Sequence, residues 1–223
     1  MKVRTLRRLT NKLWATREAK CLAIAERALI MLRETNEAPE TEVELNRLLY
    51  FYLLTASREL YPDEVVAPVT ECNNQPDTDD EARAIREQKR PDFQWIYLDR
   101  YEPDPQRSSK QFVIECKRLG KARRRDWIFN ANYSEYGIKR FCDPEWAYAK
   151  QAPSGAMLGY WQSMEGNDVL REVNEGCYRR SIPSLVFIGP LCSNGISKFQ
   201  QELVRPFPIS PFKLHHLWID LRS

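Results

Sequence analysis

Histidine is almost missing from this chain: of 223 residues only His215 and His216 are histidines, and they are adjacent. That scarcity excludes metal centres built from several imidazoles, including a histidine-rich zinc nuclease centre. Glycine is also sparse, at 8 residues, and neither G-x-x-x-x-G-K-[ST] nor G-x-G-x-x-G occurs. The chain therefore carries no recognisable ATPase or dinucleotide loop of its own. Six cysteines (Cys21, Cys72, Cys116, Cys142, Cys177, Cys192) are scattered with no C-x-x-C pair. Zinc ribbons and thioredoxin-type motifs are absent and no disulfide framework is evident, so reduced thiols in a cytoplasmic protein are expected. No apolar run approaches the roughly 18 residues that span a bilayer, and the basic N-terminus lacks the apolar core of a signal peptide. No membrane partner is expected. Excess charge is missing too: 34 Lys and Arg stand against 31 Asp and Glu, a net of +3. Any basic surface must be local.

What is present is an ordinary globular composition, 43% hydrophobic and 29% charged. The length fits one domain, or one domain with an arm, and suffices to bury a core without metal or disulfide staples. Residues 1–35 read as a helical arm with Trp14, Ala28 and Leu32 among its apolar positions. Through Arg33 that stretch has nine basic residues against two acidic ones. A nucleic-acid arm and a solvated helix face account for these charges equally well. Residues 36–223 read as the remaining domain. Asn36 to Pro39 break the chain, and a second helix is predicted from about Thr41 to Leu60, with Leu45, Leu48, Leu49, Tyr52 and Ala56 at core spacing.

Beyond a polar stretch over 71–87, the pattern changes. Asp92 to Leu98 and Gln111 to Lys117 are rich in aromatic and β-branched residues and read as strands, with turn chemistry at Glu102-Pro-Asp-Pro105 between them. A helix from Trp127 to Phe141, a strand from Gly155 to Trp161 and a short helix from Asp168 to Glu175 follow. Strands at Leu185 to Ile188 and Leu214 to Leu221 end the chain. The alternation predicts an α/β fold with a mixed sheet flanked by helices.

The two central strands carry chemistry. Alternation puts Glu115 and Lys117 on one face. A hairpin centred between Pro103 and Asp104 makes opposed residues sum to 207, so Asp92 faces Glu115 at a Cβ separation of about 4.5–5.5 Å. Two carboxylates able to share a cation, with an ammonium beside them, suit a hard ion such as Mg²⁺. Such an ion polarises a phosphoryl oxygen and lowers the pKa of bound water. Lys117 is placed to orient that water or to stabilise charge on a phosphate.

Arg90-Pro91-Asp92 followed by Phe112-Val-Ile-Glu115-Cys-Lys117 resembles the core motif of the PD-(D/E)XK nuclease superfamily, the restriction-endonuclease-like fold. The resemblance implies a mixed sheet of four or five strands flanked by helices. Asp92 and Glu115 would hold Mg²⁺, with Mn²⁺ substituting, and the Cys116 carbonyl would complete the shell. Many members add a glutamate from the preceding helix. Glu42 lies at the edge of that helix's buried face and is preferred; Glu44 fits a capping box with Thr41. Asn132-Tyr133, Gly137-Ile-Lys-Arg140-Phe141, Tyr148 and Gly155 to Tyr160 extend the resemblance, which covers roughly Thr41 to Leu221.

Glu-x-Lys by itself has little weight, for it also occurs at Glu18 to Lys20 and Glu87 to Lys89. Only the copy at Glu115 lies in an apolar strand paired with one that begins at Pro91-Asp92. The bland reading is a structural Lys–Glu pair at a strand end. Arg118, Lys121, Arg123, Arg124 and Arg125 follow at once, a track suited to a phosphate backbone. Tyr133, Tyr136 and Trp127 are aromatic candidates for base stacking or for core. One of His215 and His216 is expected to be buried and hydrogen-bonded, and the Cys116 thiol to face away from the site.

These observations lead to a metal-dependent nuclease acting on DNA. The family resemblance further implies an effector of a bacterial restriction or defence system that acts as a homodimer or with a separate ATPase or sensor subunit. The competing class is a non-catalytic nuclease-like module that binds nucleic acid or a protein. RNA as substrate stays open, since recognition of a 2′-hydroxyl has no readable motif here.

Overall fold

The computed structural model describes residues 2–35, 39–64, 66–76, 83–121, 128–189 and 194–222, with side chains of the first helix described from Arg8 onward. Helix α1 spans Lys2–Arg33 and α2 spans Glu42–Leu60. The order continues β1 (Val69–Thr70), α3 (Arg83–Arg86), β2 (Phe93–Leu98), β3 (Ser109–Leu119), α4 (Phe129–Glu135), β4 (Ser154–Trp161), α5 (Gly166–Tyr178), β5 (Val186–Phe187), β6 (Ile196–Leu203) and β7 (Phe212–Asp220). A 3-10 turn at Pro105–Arg107 closes the excursion between β2 and β3. The strands form one sheet in the order β1-β2-β3-β4-β7-β6-β5. Strand β4 runs parallel to both β3 and β7, and the other pairs are antiparallel.

The hairpin register agrees with the sequence: Phe93 faces Ile114 and Gln94 faces Val113, each pair summing to 207. The strand count does not, because among the described residues the sheet has seven strands rather than four or five. The edge strand β1 is two residues long, too short to show a period, whereas β5 falls within the strand read at Leu185 to Ile188. Strand β6 reads Ile-Ser-Lys-Phe-Gln-Gln-Glu-Leu, weak in β-branched residues, and forms because its apolar positions bury between α1 and the sheet's other layer. The helix expected from Trp127 to Phe141 is two pieces, α4 and a 3-10 turn at Ile138–Phe141. Gly137 makes the break: a Cβ there would collide with the Met157 side chain and the Tyr133 carbonyl.

Helices α1 and α2 cover one face of the sheet, α4 and α5 the other. On the first face Trp14 Nε1 donates to Ser154 Oγ at 2.8 Å and Tyr160 donates to Asn46 Oδ1 at 2.7 Å. On the second, Trp218 Nε1 donates to the Tyr133 hydroxyl at 2.9 Å. The stretch read as an arm is therefore part of the core: Trp14, Cys21, Ile24, Ala25, Ala28, Leu29 and Leu32 are buried with the sheet residues in one cluster. From Arg8 onward its basic residues are exposed or half-buried, and the helix face opposite them is apolar.

The histidines divide as alternation requires. His216 is buried, 2.9 Å from the Tyr133 hydroxyl and 3.1 Å from Gln201 Oε1. Burial, and then the neighbouring His215, pushes it down to about 3, so it is a neutral core group. His215 faces α1 instead, 3.3 Å from Glu18. Five cysteines are free thiols, and Cys192 lies outside the described residues. Among the described residues no helix is long and apolar enough to cross a membrane.

Candidate active site

Strand β3 is longer than its neighbour. Strand β2 begins at Phe93 opposite Ile114, so residues 115–119 run past it and leave backbone N–H groups on that edge without a strand partner. Buried N–H groups demand acceptors. Three side chains supply them in register. Asp92 Oδ2 accepts from Cys116 N at 2.7 Å, Glu42 Oε2 from Arg118 N at 3.2 Å, and Asn130 Oδ1 from Gly120 N at 2.9 Å. This overhang is what gathers residues from three separate elements.

On the face towards α4 the overhang presents Glu115 and Lys117. The Lys117 ammonium lies 2.9 Å from Glu42 Oε1, 2.9 Å from Glu115 Oε1 and 2.7 Å from the Cys116 carbonyl oxygen. Glu115 is fully buried, and Arg140 Nη1 also bonds its Oε1. The Arg140 guanidinium rests on the Trp146 ring, 4.0 Å from its centroid. The second oxygen, Glu115 Oε2, is buried with no hydrogen-bond partner among the described residues.

Of the residues singled out from the sequence, Glu42 and Glu115 thus pair with Lys117, and Asp92 holds the same overhang at Cys116 N. Glu44 does what a capping box asks: Thr41 Oγ1 accepts from Glu44 N at 3.2 Å and donates to Glu44 Oε2 at 2.7 Å. The Cys116 thiol is buried beside Tyr160 on the opposite face, where burial, and then the nearby Asp92 carboxyl, raises its pKa well above the ordinary thiol range. It is no nucleophile.

The basic track divides. Arg118 Nη1 donates to the Glu40 carbonyl at 2.7 Å and its guanidinium lies 4.3 Å from the Phe129 ring centroid, so it forms a wall. Lys121 is exposed. Arg123, Arg124 and Arg125, together with Trp127, lie outside the described residues. Beside the carboxylates opens a cleft of about 410 Å³ lined by Glu42, Lys117, Arg118, Phe129, Asn132, Tyr136 and Arg140. Tyr133 is absent from it, being a core residue.

Arg140 lies within the stretch that extends the family resemblance but has no role implied by it, and Asn130 belongs to no motif. Neither has a local signal, since one is a basic residue in a turn and the other an amide in a short helix. Their meaning appears only when α4 docks on β3.

Electrostatics at the site are severe. Burial, then the nearby Glu115, pushes the Asp92 carboxyl up to about 8, against the opposing pull of Lys117 and the Cys116 N–H. Burial by itself would lower Lys117, yet Glu115, Asp92 and Glu42 outweigh it and hold the ammonium well above its ordinary range. Lys117 stays charged at any working pH and is not a general base. In the metal-free protein Asp92 is therefore largely protonated at neutral pH.

A pH consequence follows from linkage. Between about pH 4 and 8 the unfolded Asp92 gives up its proton and the folded one keeps it, so the folded state is favoured at the acid end. This contribution is present below the unfolded pKa and is lost as pH rises through 8. Asp92→Asn should flatten that fall, measured as denaturation midpoints in EDTA across pH 4–9. An unchanged slope would remove Asp92 as its source.

The donors suit a hard divalent cation in kind: two carboxylates, a carbonyl and a glutamate from α2, with one buried oxygen unpartnered. Their arrangement leaves Lys117 standing among them, and among the described residues no group of three His, Cys, Asp or Glu is poised around one point. Comparison with family models, curated proteins and solved structures returns no match.

Proposed function

We propose that this protein is a metal-dependent phosphodiesterase, a nuclease acting on DNA, of the restriction-endonuclease-like type. The observation that carries the reading is the unpartnered, buried Oε2 of Glu115, a carboxylate in contact with Lys117 and Arg140, which themselves line the neighbouring cleft together with Glu42 and Arg118. A buried carboxylate oxygen without a donor is costly unless a ligand completes it. Asp92, Glu115 and the Cys116 carbonyl are the groups that would hold Mg²⁺ or Mn²⁺, with Glu42 beside them. Bound there, the ion supplies positive charge to a phosphoryl oxygen and a more acidic water.

The chain's own residues do the rest. Lys117, permanently charged, orients the attacking water or neutralises charge on the phosphate as the bond to the leaving oxygen breaks. Arg140 offsets Glu115 and is braced by Trp146, so it presents a fixed cation to the cleft. Asp92 must lose its proton before it can serve as a ligand, so metal binding releases a proton and strengthens as pH rises towards 8.

A second reading has an observation of its own. The three contacts of Lys117 fill the site with an ammonium, which suits a nuclease-like module that binds without turnover. Supercoiled plasmid and single-stranded DNA incubated with Mg²⁺, Mn²⁺ or EDTA separate the two. Cleavage should require the cation and fall at least about a hundredfold in Lys117→Ala and in Asp92→Ala. Salt-sensitive binding with no cleavage under any cation would support the second reading, and cleavage that survives both substitutions would refute the site.

A further inference from the structure

We infer that the cleft beside the carboxylates is a binding site for one unpaired nucleotide, its base stacked on Tyr136, so that the preferred substrate is single-stranded DNA. The inference rests on the phosphodiesterase reading for its choice of ligand and deepens it by naming the substrate class.

Three features of the cleft point this way. The first is size: about 410 Å³ lies within the roughly 300–1,000 Å³ of small-ligand sites, a recess rather than a flat track for a duplex backbone. The second is composition. Beside its cations the wall carries Asn132, whose amide both donates and accepts, and the aromatic ring of Tyr136, on the same short helix and its C-cap. The third is exposure. Tyr136 is 55% exposed, while Tyr133, one turn earlier, is fully buried and hydrogen-bonded to Trp218. Helix α4 thus spends one aromatic on the core and holds out another beside Lys117 and Arg140.

Duplex DNA keeps its base faces stacked inside and offers phosphates, sugars and base edges, not a π-face, to such a surface. A base can reach an aromatic wall next to the scissile phosphate only from a single strand or after leaving the stack. Stacking is tolerant of base identity because every base has a π-face, so the site would select strandedness more than sequence. Arg140 and Lys117 would carry the phosphate of the same nucleotide.

The test is equilibrium binding in EDTA, where metal-dependent cleavage is silent. Wild type, Tyr136→Ala and Tyr136→Phe are titrated against a labelled single strand, its duplex, and an oligomer of abasic deoxyribose phosphates of equal length. The expected result is tighter binding of the single strand than of the duplex by wild type and by Tyr136→Phe. Tyr136→Ala should bind the single strand about five- to a hundredfold more weakly, with duplex and abasic oligomer little changed. Thermal melts check folding, which an exposed ring should not affect. Equal loss on all three probes, no loss on the single strand, or no binding by wild type would each overturn the inference. If Tyr136→Ala loses the single strand while wild type never cleaves, the nucleotide site stands and the nuclease reading falls. If wild type cleaves but its binding ignores Tyr136, the reverse holds.

Discussion

Lys117→Met is expected to destabilise the metal-free protein by about 3–5 kcal/mol, and added Mg²⁺ to return much of that loss. The ammonium sits between Glu42 and Glu115, 2.9 Å from each, and Glu115 is fully buried. Removing one partner of a buried ion pair leaves an uncompensated charge, and such losses run to several kcal/mol. Arg140 remains on Glu115 and limits the damage. For a chain of this size the loss corresponds to a fall in Tm of roughly 6–20 °C. Methionine keeps the volume of the stem, so the effect reports charge rather than a cavity.

The response to Mg²⁺ is the sharper part. In wild type a divalent cation must share the carboxylates with an ammonium; in Lys117→Met it need not. A ligand that binds only the folded state stabilises it by RT ln(1 + [L]/Kd). The shift in Tm between EDTA and millimolar Mg²⁺ should therefore be larger for Lys117→Met than for wild type, and Ca²⁺ should act in the same direction. Absence of any cation-dependent shift in either protein would mean that Asp92 and Glu42 serve only the open edge of β3. This readout does not depend on turnover, so it tests the cation site separately from the nuclease assay.

The second large effect lies away from the chemistry. Arg205 is buried at 4% exposure and its partners are backbone carbonyls. Nε donates to Ile209 O at 2.9 Å, Nη1 to Phe141 O at 3.3 Å and Tyr148 O at 3.1 Å, and Nη2 to Ala149 O and Ala152 O at 2.9 Å each. Its guanidinium also lies 3.8 Å from the Phe212 ring centroid. One side chain thus satisfies the irregular loop over 141–152, which no strand or helix pairs. Arg205→Met should cost at least about 4 kcal/mol, because several buried acceptors lose their donors together. Arg205→Lys should restore little, since an ammonium has three donors and no planar fork. Denaturant midpoints at constant m-value would measure both, and a Lys variant as stable as wild type would show that the charge matters and the fork does not. The loop carries Trp146, on which Arg140 rests, so the same variants should also loosen the site.

Much of the site was legible because its determinants are local. Strand alternation put Glu115 and Lys117 on one face, turn chemistry at Glu102-Pro-Asp-Pro105 fixed the hairpin centre, and together they placed Asp92 opposite Glu115. The Thr41 capping box removed Glu44 and left Glu42. Other features were not legible. Nothing in a linear pattern says that β3 outruns β2, yet that mismatch decides why Asp92, Glu42 and Asn130 converge on it. Arg140 and Arg205 carry no local signal, and their contacts arise only when the loop over 141–152 folds back on the sheet. The basic first helix looked like an arm because its charges are conspicuous and its buried stripe is broken by them.

The sequence by itself determined the second helix, the β2–β3 hairpin register and the shared face of Glu115 and Lys117, since each depends on residues a few positions apart or on one turn. The tertiary structure decided the seven-stranded order, the burial of α1, and the choice between Tyr133 as core and Tyr136 as cleft wall. Those outcomes depend on which faces meet across the sheet. Residues 133 and 136 are nearly equivalent along the chain, and only the position of β7 beneath α4 makes one of them interior.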